Sequence, residues 1–106
     1  MADDGEVVVT ASVDRLIHEP ARLAIMTNLF VVESANATYL LQQTGLTWGN
    51  LGSHLNKLEE AGYVAVAKGY QGRKPETTVS LTEQGRSALV QYRERLLAAL
   101  APIARS

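Results

Sequence analysis

The chain has 106 residues, 46% of them apolar and 20% charged, with no cysteine and a formal net charge of −1. That length holds one domain with a real core and leaves no room for a separate catalytic or sensor domain, and without cysteine neither disulfides nor thiolate metal sites are available. The longest apolar runs, near Leu29–Val32 and Leu96–Ala101, fall far short of the ~20 residues of a membrane span, and the acidic start Met-Ala-Asp-Asp-Gly-Glu is unlike a secretory leader, so a cytoplasmic protein is expected.

The small net charge conceals an uneven distribution. Residues 1–19 carry Asp3, Asp4, Glu6, Asp14 and Glu19 against Arg15, whereas residues 47–75 carry Lys57, Lys68, Arg73 and Lys74 against Glu59 and Glu60. Acid therefore gathers at the N-terminus and the middle is mildly basic, which permits a DNA-binding surface without demanding one. Residues 1–13 are expected to form a flexible acidic tail, and the β-prone Val7-Val8-Val9 within it is assigned no structure; residues 14–106 form the domain.

Pro20 suits the first position of a helix, where its missing N–H is not needed. Leu23, Ile25, Met26, Leu29, Phe30 and Val32 follow at helical spacing, a broad apolar face that predicts a deeply buried first helix. Ser34, Asn36 and Thr38 break the pattern. Thr38 is the expected cap of a short second helix, Tyr39 to Gln43, which Gly45 ends in the left-handed conformation. Thr47 caps a third helix from Trp48 to about Ala61, stopped by Gly62. Two short helices joined by a glycine-containing turn are the helix-turn-helix signature.

Tyr63 to Lys68 and Thr77 to Leu81 are strand-like, with Gly69 to Pro75 as an exposed hairpin tip between them. Thr82 then caps a long last helix reaching roughly Ala101. The order of three helices, a hairpin and a helix predicts a mainly α fold with a small β-hairpin wing, a winged helix-turn-helix.

In the stretch "LTWGNLGSHLNKLEEAGYV", Leu51, Leu55 and Leu58 fall within about 40° of one another on a helical wheel and mark the buried stripe. Gly49, Asn50, Ser53, Asn56 and Lys57 occupy the opposite side, with His54 on its flank. A helix that enters the major groove brings its backbone close to base edges, so small residues in its N-terminal half permit approach. Thr47 and the first-turn N–H groups offer an anion site for a backbone phosphate, and the acidic pair Glu59–Glu60 would stay outside the groove.

"IHEPARLAIMTNL", "GLTWGNLGSHLNKLEEAGYV" and "GYQGRKPETTVSLTEQGRSAL" together resemble the small single-domain winged-helix transcriptional regulators of bacteria and archaea, relatives of the MarR-like and ArsR-like repressors, over about residues 14–92. The resemblance implies a dimeric, sequence-specific DNA binder whose third helix reads the major groove while its wing touches the backbone or minor groove. By motif position that role falls on Trp48, Asn50, Ser53, His54 and Lys57 in the helix, and on Arg73 and Lys74 in the wing. Trp48 departs from the family, which more often has a small or polar residue there.

Other roles compete for several of these side chains. Trp48, about 60° from the leucine stripe, either lies against a sugar or thymine methyl or fills the gap between the second and third helices, and its offset favours packing. His54 either donates to a base or phosphate or is a solvated or core-capping histidine. Lys57 shares the face of Asn50 and Ser53, which favours DNA over a merely solvated charge. Arg73 and Lys74 at a hairpin tip have few structural duties. Arg22 is expected to tie the first helix to an acidic neighbour, and His18 to lead into that helix.

Leu89, Tyr92, Leu96, Ala99 and Ile103 recur at spacings of three and four, a heptad seam that Leu97 and Leu100 widen. The alternatives are packing onto the first helix of the same chain or a dimer seam, and the dimer is preferred because a palindromic operator needs a two-fold protein. With two histidines and no cysteine no metal site is expected, no cofactor is implied, and no nucleophile–base pair suggests an enzyme. The expected partners are double-stranded DNA and a second copy; a cavity between the first and last helices of a dimer has room for a small apolar effector that no residue demands. The rival reading is a winged-helix protein-interaction module without DNA binding, supported by the acidic tail.

Overall fold

The computed structural model describes residues 13–104. The acidic N-terminal stretch lies outside them, with one exception. Val13, assigned to the tail from sequence, is buried, and Ile17 is wholly buried with it. The turn that carries them is clamped by Asp14, whose carboxylate accepts from the backbone N–H of Leu16 at 2.8 Å and Ile17 at 3.3 Å and from the Tyr63 hydroxyl. Burial, and then the hydrogen bond to the Asp14 carboxylate and its charge, push the Tyr63 phenol up to about 12.

Helix α1 runs Pro20–Val32. Pro20 opens it as expected, and Glu19 is its cap, accepting from Ala21 N at 3.1 Å and Arg22 N at 2.8 Å. Burial alone would raise the Glu19 carboxyl, but those two N–H bonds, with the Arg22 charge and that of the His54 ring when it is protonated, outweigh it and hold the pKa below the usual value. Ile25, Met26 and Leu29 are wholly buried. Phe30 and Val32, expected on the same face, are 36% and 38% exposed. The helix is apolar around so much of its circumference that spacing alone does not say which part the neighbours cover.

Glu33 ends α1 with φ +68°, the only non-glycine residue at positive φ among those described. Its N–H reaches Leu29 O at 2.7 Å and its carbonyl accepts from Leu81 N at 3.0 Å. This turn feeds Ser34–Asn36 into a short strand, β1, antiparallel to the later strand β3 with Ala35 opposite Val79. The sequence showed only a break here, because three residues with small or polar side chains have no strand pattern. Helix α2 is Ala37–Thr44, and its cap is Asn36, whose Oδ1 accepts from Tyr39 N at 2.8 Å, not Thr38. Gly45, at φ +71°, ends it as expected.

Helix α3, Trp48–Glu60, is capped by Thr47, whose hydroxyl oxygen accepts from Asn50 N at 3.2 Å. Strands β2, Val64–Gln71, and β3, Lys74–Leu81, then pair in register from Val64↔Leu81 to Gln71↔Lys74, giving a sheet of order β1-β3-β2. The wing is therefore longer than expected: Gly69–Gln71 and Lys74–Glu76 belong to the ladder, and only Gly72–Arg73 form the turn. Within that turn φ is positive at Gly72 alone, +65°, the type II′ pattern that suits strand twist. Pro75 sits in β3 beyond the reach of β1, where its missing N–H breaks no ladder bond on that side.

Helix α4, Glu83–Ala104, is capped by Thr82, which accepts from Gly85 N at 2.9 Å and donates to Gly62 O at 2.6 Å. Its first turn lies so close to the α3–β2 junction that a Cβ on Gly85 would overlap the backbone carbonyl of Tyr63. An ordinary Gly→Ala change inside a helix gains up to ~1 kcal/mol. Gly85→Ala is expected instead to destabilise the domain by about 1–3 kcal/mol, the cost of overpacking against backbone that has no room to yield. Urea denaturation checks this, and a raised midpoint with unchanged slope would contradict the close approach.

Candidate nucleic-acid interface

The core fixes the rotation of α3. Leu51, Leu55 and Leu58 are 1%, 6% and 0% exposed and join Ile25, Met26 and Leu29 in one cluster. The rest of the helix is turned outward: Thr47, Trp48, Gly49, Asn50, Gly52, Ser53, Asn56 and Lys57 are all exposed. The expected split between leucine stripe and small polar face is thus present. The Thr47 oxygen is occupied by the cap, leaving its hydroxyl proton able to donate.

Gly49 and Gly52 carry the most information on this face. Glycine inside a helix destabilises it by roughly 0.5–1 kcal/mol relative to alanine, a penalty usually explained by a close neighbour or a positive φ. Neither explanation holds within the protomer. Both glycines have ordinary φ, and a Cβ built on either meets nothing within 4 Å.

Trp48 does not fill the gap between α2 and α3. It is 63% exposed and stands where the first turn of α3 meets the wing. It lines one hollow with Thr38, Gln71, Lys74 and Pro75, and another with Gly52, Asn56, Val66 and Lys68. The offset from the leucine stripe favours packing, but the ring opens onto the wing and leaves most of its surface to solvent.

The wing carries Arg73 in its turn and Lys74 beside it, both exposed. Among the described residues neither these two nor Lys57 and Lys68 make an ion pair; the pairs present are Arg22–Glu19 and Arg86–Glu33, with His54–Glu19 an ion pair only when the imidazole is protonated. Four unpaired cations thus flank the bare face of α3, while Glu59 and Glu60 stand at its far end. Sequence reasoning passed over Tyr70, which is 77% exposed near the wing tip. An aromatic in a predicted loop gave no sign that pairing with Pro75 would hold it there.

His54 differs from its neighbours on α3. Its Nδ1 lies 3.1 Å from Arg22 Nη1 and 3.8 Å from Glu19 Oε2. It is tied to the start of α1 on one side, and Arg22 does meet the acidic neighbour expected for it, at 3.8 Å from Glu19. His18, ahead of α1, bonds through Nδ1 to the Tyr92 hydroxyl at 2.8 Å.

The proposed seam of α4 divides along its length. Leu89 and Tyr92 are buried inside the protomer at 9% and 4% exposure, with Leu96 and Ala99 half-buried. Only toward the C-terminal end does the seam open, at Ile103, 68% exposed. Leu97 and Leu100 are 54% and 41% exposed, and Leu97 borders an apolar hollow between α1 and α4 with Phe30, Val31 and Val90. No group of three or more potential metal ligands and no helix long and apolar enough to cross a membrane occurs among the described residues.

Comparison with known proteins is decided by one match: the winged helix DNA-binding domain family covers residues 21–100. The chain belongs to that family. An uncharacterized protein of Methanocaldococcus jannaschii is 33% identical over 78 residues, 74% of this chain and 85% of that one. The structure of a transcriptional regulator homologue from Pyrococcus horikoshii superposes with a TM-score of 0.83 at 28% identity, covering 94% of this winged helix and 97% of the other chain. A MarR-like transcription regulator from Bacillus cereus shares the fold at 20% identity and a TM-score of 0.59, over 94% of this chain and 77% of that one.

The exposure of Trp48 has a direct consequence. It is the only tryptophan in the chain, so its emission should be nearly as red in the native protein as in denaturant. Trp48→Ala should change unfolding free energy by no more than about 0.5 kcal/mol, the usual range for surface sites. A blue-shifted native emission, or a loss of several kcal/mol, would mean that the ring is packed.

Proposed function

We propose that this protein is a transcriptional regulator that binds a palindromic operator as a homodimer, with α3 in the major groove and the wing on the backbone beside it. The observation that carries the reading is the bare face of α3. Two glycines that no internal contact requires, flanked by Asn50 and Ser53, allow base edges to come close. Asn50 has the paired amide donor and acceptor that suit adenine, and Ser53 a hydroxyl that serves either role. Lys57, Arg73 and Lys74 supply sequence-independent attraction to phosphates, and Thr47 donates to one of them. Trp48, between helix and wing, lies against a sugar or a thymine methyl.

The second copy covers the apolar border of α1 and α4. Phe30, Val31, Val90, Leu97 and Leu100 leave apolar surface exposed on α1 and α4, and a two-fold axis there would give each operator half one recognition helix. Because Leu89 and Tyr92 already serve the protomer core, the seam consists of the residues that flank them and of the open end of α4.

Leu97→Glu tests the assembly without touching the core. Sedimentation should show a wild-type dimer at micromolar concentration and a folded monomer for the variant, because like charges would face one another across the axis. Sites selected by wild type from random duplexes should be two-fold symmetric, with halves about one helical turn apart. The variant's affinity for them should drop toward that for a single half-site. A wild-type monomer that selects an asymmetric site would overturn the dimer and the palindrome together.

A further inference from the structure

His54 sits on the recognition helix, yet one of its ring nitrogens faces inward, onto the start of α1. Nδ1 is 3.1 Å from Arg22 Nη1. Arginine has five N–H donors and no acceptor, so a hydrogen bond at that distance requires a lone pair on Nδ1. With that hydrogen bond formed, the ring is the neutral tautomer that carries its proton on Nε2.

The arginine is held for this task by backbone groups. Its Nε donates to Leu16 O at 2.6 Å, and its Nη1 is 3.8 Å from Glu19 Oε2. Glu19 is fixed in turn by the first N–H groups of α1, Ala21 at 3.1 Å and Arg22 at 2.8 Å. The Arg22 side chain is 12% exposed and that of His54 20%, so the contact is screened less than a surface pair would be. No buried side-chain nitrogen or oxygen lacks a partner among the described residues, and Nε2 has no partner there, so Nε2 reaches solvent.

We infer that Arg22 is a positioning residue for DNA recognition, holding His54 as the Nε2–H tautomer so that the ring presents one fixed donor to an acceptor atom of the duplex. The inference rests on the reading that α3 binds DNA. It differs from that reading in what it requires, because a histidine free to rotate would offer donor or acceptor to any base. The fixed form only donates. Its targets are base acceptors such as guanine N7 and O6 or thymine O4, or a phosphate oxygen.

The test uses the full chain and two readouts. Nitrogen-15 NMR of wild type should show His54 at neutral pH with a pyridine-like Nδ1 and a pyrrole-like Nε2. Arg22→Met should give a mixture of tautomers, and Arg22→Lys, which keeps a donor, should restore much of the single form. His54→Asn retains an acceptor at the place of Nδ1 and deletes Nε2. It should fold as wild type does and lose operator affinity by roughly tenfold, the scale of one charge-assisted or base-edge hydrogen bond. His54→Gln, which keeps a donor farther out, should recover part of that loss.

If the drop is confined to the selected operator and relaxes one base pair, the acceptor is a base; an equal drop on random duplexes makes it a phosphate, and both support the inference. Unchanged affinity in His54→Asn while wild type binds its operator, or a tautomer distribution indifferent to Arg22→Met, would overturn it. A wild-type protein that binds no duplex would overturn the DNA reading itself and the donor role with it. The NMR signature alone would still report whether Arg22 fixes the ring.

Discussion

Helix α1 is the element on which the rest of the structure is hung. It touches α2, α3, α4, β1 and β3, and it does so through Ile25, Met26 and Leu29, none of which leaves any surface to water. Burying three such side chains is worth on the order of 1.5–3 kcal/mol each. The arrangement also constrains α3. With Leu51, Leu55 and Leu58 committed to this cluster, α3 cannot rotate about its axis without exposing leucine, so the small polar face is aimed by the core.

The start of α1 is built into the same framework. The turn before it carries Val13 and Ile17 into the core, Asp14 clamps the turn to Tyr63, and Glu19 and Arg22 extend the same framework to His54. His54 on the outward side of α3 is thereby linked to a segment far earlier in the chain. The other end of α1 does different work. Glu33 adopts a strained backbone to deliver β1 to the sheet, and Arg86 spans Glu33 at 3.9 Å and the Phe30 ring at 4.6 Å, tying α1 to the first turns of α4.

Features set by local chemistry were legible in the sequence. Pro20, Gly45, Thr47, Gly62 and Thr82 mark boundaries through conformational limits of single residues, and the leucine stripe of α3 gave its rotation because its other residues are plainly polar. Features set by distant partners were not legible. Asn36 and Thr38 are equally able caps, and β1 pairing with β3 decides between them. Phe30 and Val32 belong to a helix with apolar residues on most sides, so pattern could not separate core from patch. Nor could the exposure of Trp48 be read, since it depends on where the wing, distant in sequence, stands beside α3. At the candidate interface Arg73, Lys74, Asn50 and Ser53 stand exposed where expected, while His54 is shared with α1.

The domain thus presents two surfaces of opposite character. One, on α1 and α4, is apolar and suits a second protein surface; the other, on α3 and the wing, is small, polar and cationic and suits a nucleic-acid groove. The proposed DNA-binding role requires that Gly49 and Gly52 be kept for close approach to DNA at the expense of helix stability. The most direct test measures both properties on Gly49→Ala with Gly52→Ala. Unfolding free energy should rise, by up to about 0.5–1 kcal/mol per site, while affinity for the selected operator should fall at least about tenfold because each methyl stands off the base edges. A variant that is more stable and binds its operator as tightly as wild type would contradict it.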